Sequence, residues 1–180
     1  MKVYVMRHGR TNWNEKLRTQ GRSQNQLSKT GKEDALKIAQ DFSKNKVDLI
    51  VCSPLMRTVQ TANIMNKYQG VKVVKDKRLV EVDQGIFTGK KYSQMTPEEH
   101  EAKRQRRADC ELESWRSVYG RVKNFADSIK SDYPYSRILV VTHESLAIYL
   151  SAILSSQKAD VDNPFTMPRF SNAEIKEFEI

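Results

Sequence analysis

Three short apolar-rich runs constrain this chain more than anything else in it. Lys2–Met6, Val47–Val51 and Arg137–Val141 are each of buried-strand length, and each breaks off into a turn. Between and after them come helical patterns. Ala35, Ile38, Ala39 and Phe42 fall at helical spacing within Lys32–Lys44, led in by Ser28-Lys29-Thr30-Gly31. Ser53-Pro54 reads as an N-cap with proline at the first helical position, opening a helix to about Lys67. Val71–Val74 reads as a further strand. Trp115, Val118, Val122, Phe125 and Ile129 mark an amphipathic helix over Glu113–Lys130, and Thr142 begins the turn into a helix through Ser155. Asn172–Ile180 alternates as a half-exposed edge strand does. Strands alternating with helices predict an α/β layered domain around a largely parallel sheet. No repeat, low-complexity tract or linker interrupts the 180 residues, so one domain over 1–180 is expected. A charged helical insertion is expected near 90–110, with a fresh start at Thr96-Pro97-Glu98-Glu99.

Charge narrows the function classes. The net charge is +9, and residues 1–32 hold eight cations against the single anion Glu15. Such a field concentrates anionic partners, whether phosphorylated metabolites or nucleic acid. Aromatic side chains are not interleaved with these cations as in single-strand binders, so nucleic acid is not the expected partner. No stretch reaches the roughly 20 apolar residues of a membrane span. Two cysteines make no disulfide framework, and the early charges at Lys2 and Arg7 leave no secretory core. A soluble, cytoplasmic chain is expected.

In parallel sheets ligands bind beyond the carboxyl ends of the strands. Beyond Met6 stand Arg7, His8, Gly9 and Arg10; beyond Val51 stand Ser53 and then Arg57; beyond Val141 stand Thr142 and His143. Three strand ends thus deliver two of the three histidines and two arginines to one edge. His100, among Glu98, Glu99 and Glu101, reads as a surface residue, and Cys52 and Cys110 as bystanders. Phosphate-loop, dinucleotide and serine-hydrolase motifs are absent.

Four segments together resemble the histidine phosphatase superfamily, also called the phosphoglycerate mutase-like family. They are Arg7-His8-Gly9 with Thr11 and Trp13-Asn14, Ser53-Pro54-Leu55-Met56-Arg57-Thr58, Leu79-Val80-Glu81 with Gly85 and Gly89, and Val140-Val141-Thr142-His143. Asn172-Ala173-Glu174-Ile175 is similar to the family's closing strand, so the likeness spans nearly the whole chain. It implies a three-layer α/β/α fold with a mostly parallel mixed sheet. It also implies a phosphoric monoester hydrolase of histidine acid phosphatase type, needing no metal or other cofactor and acting on a small phosphorylated metabolite.

By that resemblance His8 is the nucleophile, forming a phosphohistidine that water then hydrolyses. Arg7, Arg57 and His143 would bind the transferred group, and Asn14 would donate to the same phosphate. Glu81 would protonate the leaving oxygen and then activate water, with Asp83 the local competitor. Backbone amides after Arg7-His8-Gly9 would add to the anion pocket. A metal site from His8, Glu81 and His143 is the formal alternative, opposed by the adjoining arginines. The same phosphohistidine also serves mutases. These are generally longer and carry a Glu-Arg-His-Tyr-Gly segment where this chain has Gly85–Lys91. A non-catalytic phospho-ligand module would have lost His8, Arg57, Glu81 or His143, and all four are present.

Two positions depart from the pattern. Arg10 stands where Glu or Gln is common, and Glu144 where glycine commonly follows the second histidine. Emerging from neighbouring strand ends, the two are expected to form an ion pair across the mouth of the site, with Arg10 contacting substrate.

Overall fold

The computed structural model describes residues 1–180. Five strands, β1 (Lys2–Arg7), β2 (Leu49–Cys52), β3 (Lys72–Lys75), β4 (Arg137–Thr142) and β5 (Ile175–Glu179), form one sheet in the order β3-β2-β4-β1-β5. All neighbouring pairs are parallel except β1 with β5, where Met6 faces Ile175 and Lys2 faces Glu179. The helices are α1 (Asn12–Glu15), α2 (Lys29–Phe42), α3 (Met56–Gln69), α4 (Pro97–Gln105), α5 (Trp115–Asp132) and α6 (Glu144–Leu154).

Strand alternation sorts the core into two layers. Val3 and Val5 of β1, Leu49 and Val51 of β2, and Ile138 and Val140 of β4 pack with α5 and α6. Tyr4, Met6, Ile50, Cys52, Leu139 and Val141 face the other way and pack with Ala39, Phe42, Ala62 and Met65 of α2 and α3. Both faces of the parallel strands are thus covered, as parallel sheets require. The fold is the expected three-layer α/β/α arrangement with a mostly parallel mixed sheet.

Some local expectations shift. The helix after β2 begins at Met56, with Leu55 at its N-cap and no side-chain cap. Ser53 is not the cap; its hydroxyl turns toward His143 instead. Within 90–110 only Pro97–Gln105 is α-helical, opened by a Thr96–Glu99 capping box. Single 3-10 turns at Tyr92–Gln94 and Ala108–Cys110 flank it.

Gly31 has a steric task. A Cβ there would lie 2.0 Å from the Arg10 carbonyl oxygen, so α2 can press on the loop after His8 only with glycine at this point. The other wall of that loop is the C-terminal segment. Ala173 N donates to Arg7 O at 3.1 Å, and Asn172 Nδ2 donates to His8 O at 3.1 Å.

Candidate active site

β1, β2 and β4 run parallel and end together, so the turns that follow them share one rim of the sheet. His8 sits there almost fully buried. Its Nδ1 lies 2.7 Å from Gly9 O, and a carbonyl can only accept, so Nδ1 carries the proton. Nε2 therefore holds the free lone pair, and Arg57 Nε donates to it at 3.2 Å. Burial, then the charges of Arg57 and Arg7, hold His8 well below the usual histidine range. A neutral imidazole with a defined basic nitrogen results.

Arg57 is completely buried, although it lies in the first turn of α3, where a cation opposes the helix dipole. Nη1 donates to Ser23 O at 2.9 Å and Nη2 to Gly21 O at 2.8 Å. Gly21 adopts φ +50°, a left-handed conformation that favours glycine. Burial pushes Arg57 down to about 10, with Glu81 opposing.

Arg7 Nη1 donates to Phe170 O at 2.6 Å and pairs with Glu144 Oε2 at 2.9 Å. His143 Nε2 is 2.9 Å from Ser53 Oγ. Its ring stands edge-on to His8, with centroids 5.3 Å apart. Burial, and then Arg57, keep His143 far below the usual range and so neutral. Arg7 Nε and His143 Nδ1 are buried nitrogens without any partner. Buried polar atoms are almost always satisfied, so two orphaned nitrogens on the residues that adjoin His8 leave room for a ligand there.

Glu81 comes from the loop after β3. Its Oε1 accepts from Val82 N at 2.9 Å and Ser145 Oγ at 3.3 Å, while Oε2 lies 3.9 Å from His143 Nδ1. Burial raises its pKa above the ordinary carboxylate value against the pull of Arg57, Arg7 and Arg121. Thr142 Oγ1 donates to Leu79 O at 3.0 Å and ties this loop to the end of β4. Asp83 points elsewhere, toward Arg22 at 3.4 Å.

Asn14 closes a capping box with Thr11, its Oδ1 accepting from Thr11 N at 3.0 Å, which leaves Nδ2 to donate. Part of the backbone expected to add to the anion pocket after Gly9 is already engaged. Gly9 N donates to Thr61 Oγ1 at 3.0 Å, Asn14 N to Thr11 Oγ1 at 3.1 Å, and α1 is a single turn.

The Arg10–Glu144 pair is also corrected. Both residues line a cavity of about 530 Å³, but Arg10 reaches toward Asp34 at 3.9 Å and is half exposed. Glu144 is bracketed instead by Arg7 and by Arg169, whose Nε donates to Oε1 at 2.7 Å. Arg7 leaves the strand directly beside the first turn of α6 and takes the carboxylate first.

Sequence reasoning missed Ser53 as the support of His143 and Ser145 as a support of Glu81. The first carried a signal in the Cys52-Ser53-Pro54 strand end, but it reads equally well as a cap. Cys52 is a bystander, its thiol pushed up to about 11 by burial. No group of three or more His, Cys, Asp or Glu side chains is arranged to hold a metal ion.

The profile of the histidine phosphatase superfamily (branch 1) matches residues 3–180, and the chain belongs to that superfamily. It is an enzyme of the phosphatase type. Phosphoserine phosphatase 1 of Hydrogenobacter thermophilus is 32% identical over 149 residues, covering 79% of this chain and 71% of that relative. The probable phosphoglycerate mutase GpmB of Serratia proteamaculans is 31% identical over 161 residues, covering 86% and 75%. Among solved structures, a mycobacterial glucosyl-3-phosphoglycerate phosphatase superposes with a TM-score of 0.83 at 27% identity, over 98% of this chain and 90% of that one. The α-ribazole phosphatase of Shigella flexneri, at 22% identity and a TM-score of 0.87, shares the fold.

Proposed function

We propose that this chain hydrolyses small phosphomonoesters without a metal, by way of a phosphohistidine on His8 Nε2. The observation that carries this is the pair of orphaned buried nitrogens, Arg7 Nε and His143 Nδ1, on the two residues that adjoin His8 in sequence and by ring contact, together with the unprotonated Nε2 of His8. An incoming phosphate supplies Arg7 Nε with an acceptor, and His143 too once Ser53 Oγ donates to its Nε2 and the ring proton sits on Nδ1. The Nε–H of Arg57 shifts from Nε2 to a phosphate oxygen as the lone pair is freed. Asn14 Nδ2 is the neutral donor to the same group.

Two steps then balance. The Nε2 lone pair forms the N–P bond as the P–O bond to the leaving group breaks, and protonated Glu81 gives its proton to the departing oxygen. Water next attacks phosphorus while the Glu81 carboxylate takes a proton from it. The N–P bond breaks, returning its electron pair to Nε2 and releasing inorganic phosphate. Arg7 and Arg57 meet the charge on the equatorial oxygens in both transition states.

Water rather than a second substrate is the acceptor, because the Gly85–Lys91 stretch lacks the carboxylate-gripping segment of the mutases. The superfamily relatives named for phosphoserine and glucosyl-3-phosphoglycerate fit a small phosphorylated metabolite as substrate. Steady-state release of inorganic phosphate from a panel of phosphomonoesters tests the reading. Release from none of them, together with transfer between phosphoglycerate positions, would replace it with the mutase.

A further inference from the structure

Glu113 stands one residue ahead of Ser114, the N-cap of α5, and its carboxylate is a crowded acceptor. Oε2 takes the amide of Asp83 at 3.1 Å, Arg22 Nη2 at 3.1 Å and Arg121 Nη2 at 3.2 Å. Oε1 takes Arg121 Nε at 3.0 Å and Ser117 Oγ at 3.1 Å. Burial alone would raise this carboxyl, but Arg121, the Asp83 amide and Arg22 hold it below the ordinary carboxylate range. It stays ionised. The side chains of Glu113 and Arg121 are only 10% and 17% exposed, so theirs is not the weak, solvated kind of surface pair.

What these contacts hold is the segment that carries Glu81. Glu113 grips the backbone of Asp83 twice, taking its N–H on Oε2 and giving its own N–H to Asp83 O at 3.3 Å. Arg106 Nη2 donates to the same carbonyl. On the other side of Glu81, Arg121 Nη1 donates to Arg78 O at 2.7 Å. Glu81 is thus strung between two fastened points, and both lead back to one carboxylate. Arg22 is the third limb. Its Nε donates to Glu81 O at 3.3 Å, and its chain neighbours Gly21 and Ser23 offer the carbonyls that hold Arg57.

We propose that Glu113, acting through Arg121 and Arg22, is a positioning residue for the acid Glu81. It fixes the segment from Arg78 to Asp83 so that the Glu81 carboxyl meets the leaving oxygen while Arg57 meets the phosphate. The inference rests on the phosphatase reading with Glu81 as its acid.

Charge gives the proposal a sign. Glu81 is faced by Arg57 of α3, Arg7 of β1, Arg121 of α5, by Arg22 and Arg106 from the loops, and by neutral His143 beyond β4. Glu113 offsets Arg121 and Arg22. Without its charge they pull harder on Glu81, and the protonated acid is lost at lower pH.

The test compares kcat/KM for 4-nitrophenyl phosphate, whose leaving group departs without a proton, with that for an alkyl phosphomonoester the wild type cleaves. Glu113→Gln should lower the alkyl value about tenfold or more and the nitrophenyl value no more than about twofold. Its alkaline limb should move to lower pH, and inhibition by inorganic phosphate should hold within about twofold. Arg22→Met, a change at a half-exposed side chain, should lower the alkyl value about threefold or more and spare the aryl ester. An equal loss on both esters in Glu113→Gln, an unchanged ratio, or a limb that stays or moves up would overturn the proposal. If Glu113→Gln does not fold, Arg22→Met decides alone, and an unchanged ratio there overturns it. Glu81→Gln separates the two readings. A wild-type ratio in Glu81→Gln would strike the acid itself, whereas a ratio lost in Glu81→Gln but kept in Glu113→Gln would strike only the positioning role.

Discussion

The Nε–H of Arg57 points at the Nε2 of His8 across 3.2 Å, so the lone pair of the nucleophile we propose is capped by the arginine we assign to the phosphate. The contact does two things. It fixes the ring in the tautomer that leaves Nε2 basic, and its charge helps keep His8 neutral. Its other nitrogens are tied to Ser23 O and Gly21 O, so the guanidinium stays beside His8 and only the Nε–H has to pass from Nε2 to a phosphate oxygen.

The raised pKa of Glu81 makes a pH prediction. The first step needs the protonated carboxyl, and a raised value keeps that form to higher pH than an ordinary glutamate would. Activity should therefore fall on the alkaline side of that value, as kcat/KM against pH will show. His8 and His143 are both depressed and add no limb near neutrality. Glu81→Gln should lower kcat by about 10²–10⁴-fold and erase the alkaline limb. Inhibition by inorganic phosphate should barely change. Asp83→Asn should stay near wild type; the reverse pattern would move the acid to Asp83.

Ser53→Ala should cost about 1–3 kcal/mol in denaturant unfolding, because it strands the buried Nε2 of His143. It should also weaken phosphate inhibition, since Ser53 sets the direction in which Nδ1 points. A loss of stability with unchanged phosphate affinity would make Ser53 a packing residue only.

How far the sequence revealed this site depends on which forces decide each residue. Strand period and the strand-end rule locate His8, Arg57 and His143, since backbone alone carries them to one rim. Side-chain pairing is another matter. Ser53 reads equally as a helix cap, and only the packed position of His143 decides against it. The Arg10–Glu144 expectation failed for the same reason: nearness of strand ends did not reveal that Arg7 stands closer, or that Arg169 arrives from the C-terminal segment. In the sequence, Lys103 and Arg106 belong to a run of cations that reads as a solvated helix face or, by the family resemblance, as a rim of the active site. That Arg106 is buried and Lys103 half-buried depends on how α4 and its C-cap sit against Thr19 and Trp115.

Arg10 and Glu144 should accordingly act independently. Arg10→Ala should change KM less than twofold, given its exposure and its long 3.9 Å approach to Asp34. Glu144→Gln should tighten inorganic phosphate inhibition several-fold, by removing a carboxylate that sits on Nη1 of Arg7. The double variant should be additive within about 0.3–0.5 kcal/mol. Marked coupling between the two would restore an interaction that the geometry denies.

Chelation should leave turnover intact. Arg7 and Arg57 supply the charge that a cation would otherwise bring, and they adjoin His8 closely enough to repel one. Phosphate release measured after prolonged treatment with a chelator should match the untreated rate. Activity lost to the chelator and restored by zinc or magnesium would contradict this.

The phosphohistidine itself is the most direct test. Rapid acid quenching of the wild-type chain during turnover, followed by peptide mass spectrometry under base-stabilised conditions, should find phosphate on His8. His8→Ala should carry none and release no inorganic phosphate. A phosphoryl group trapped on His8→Ala, or wild-type phosphate located at any other residue, would contradict His8 as the nucleophile.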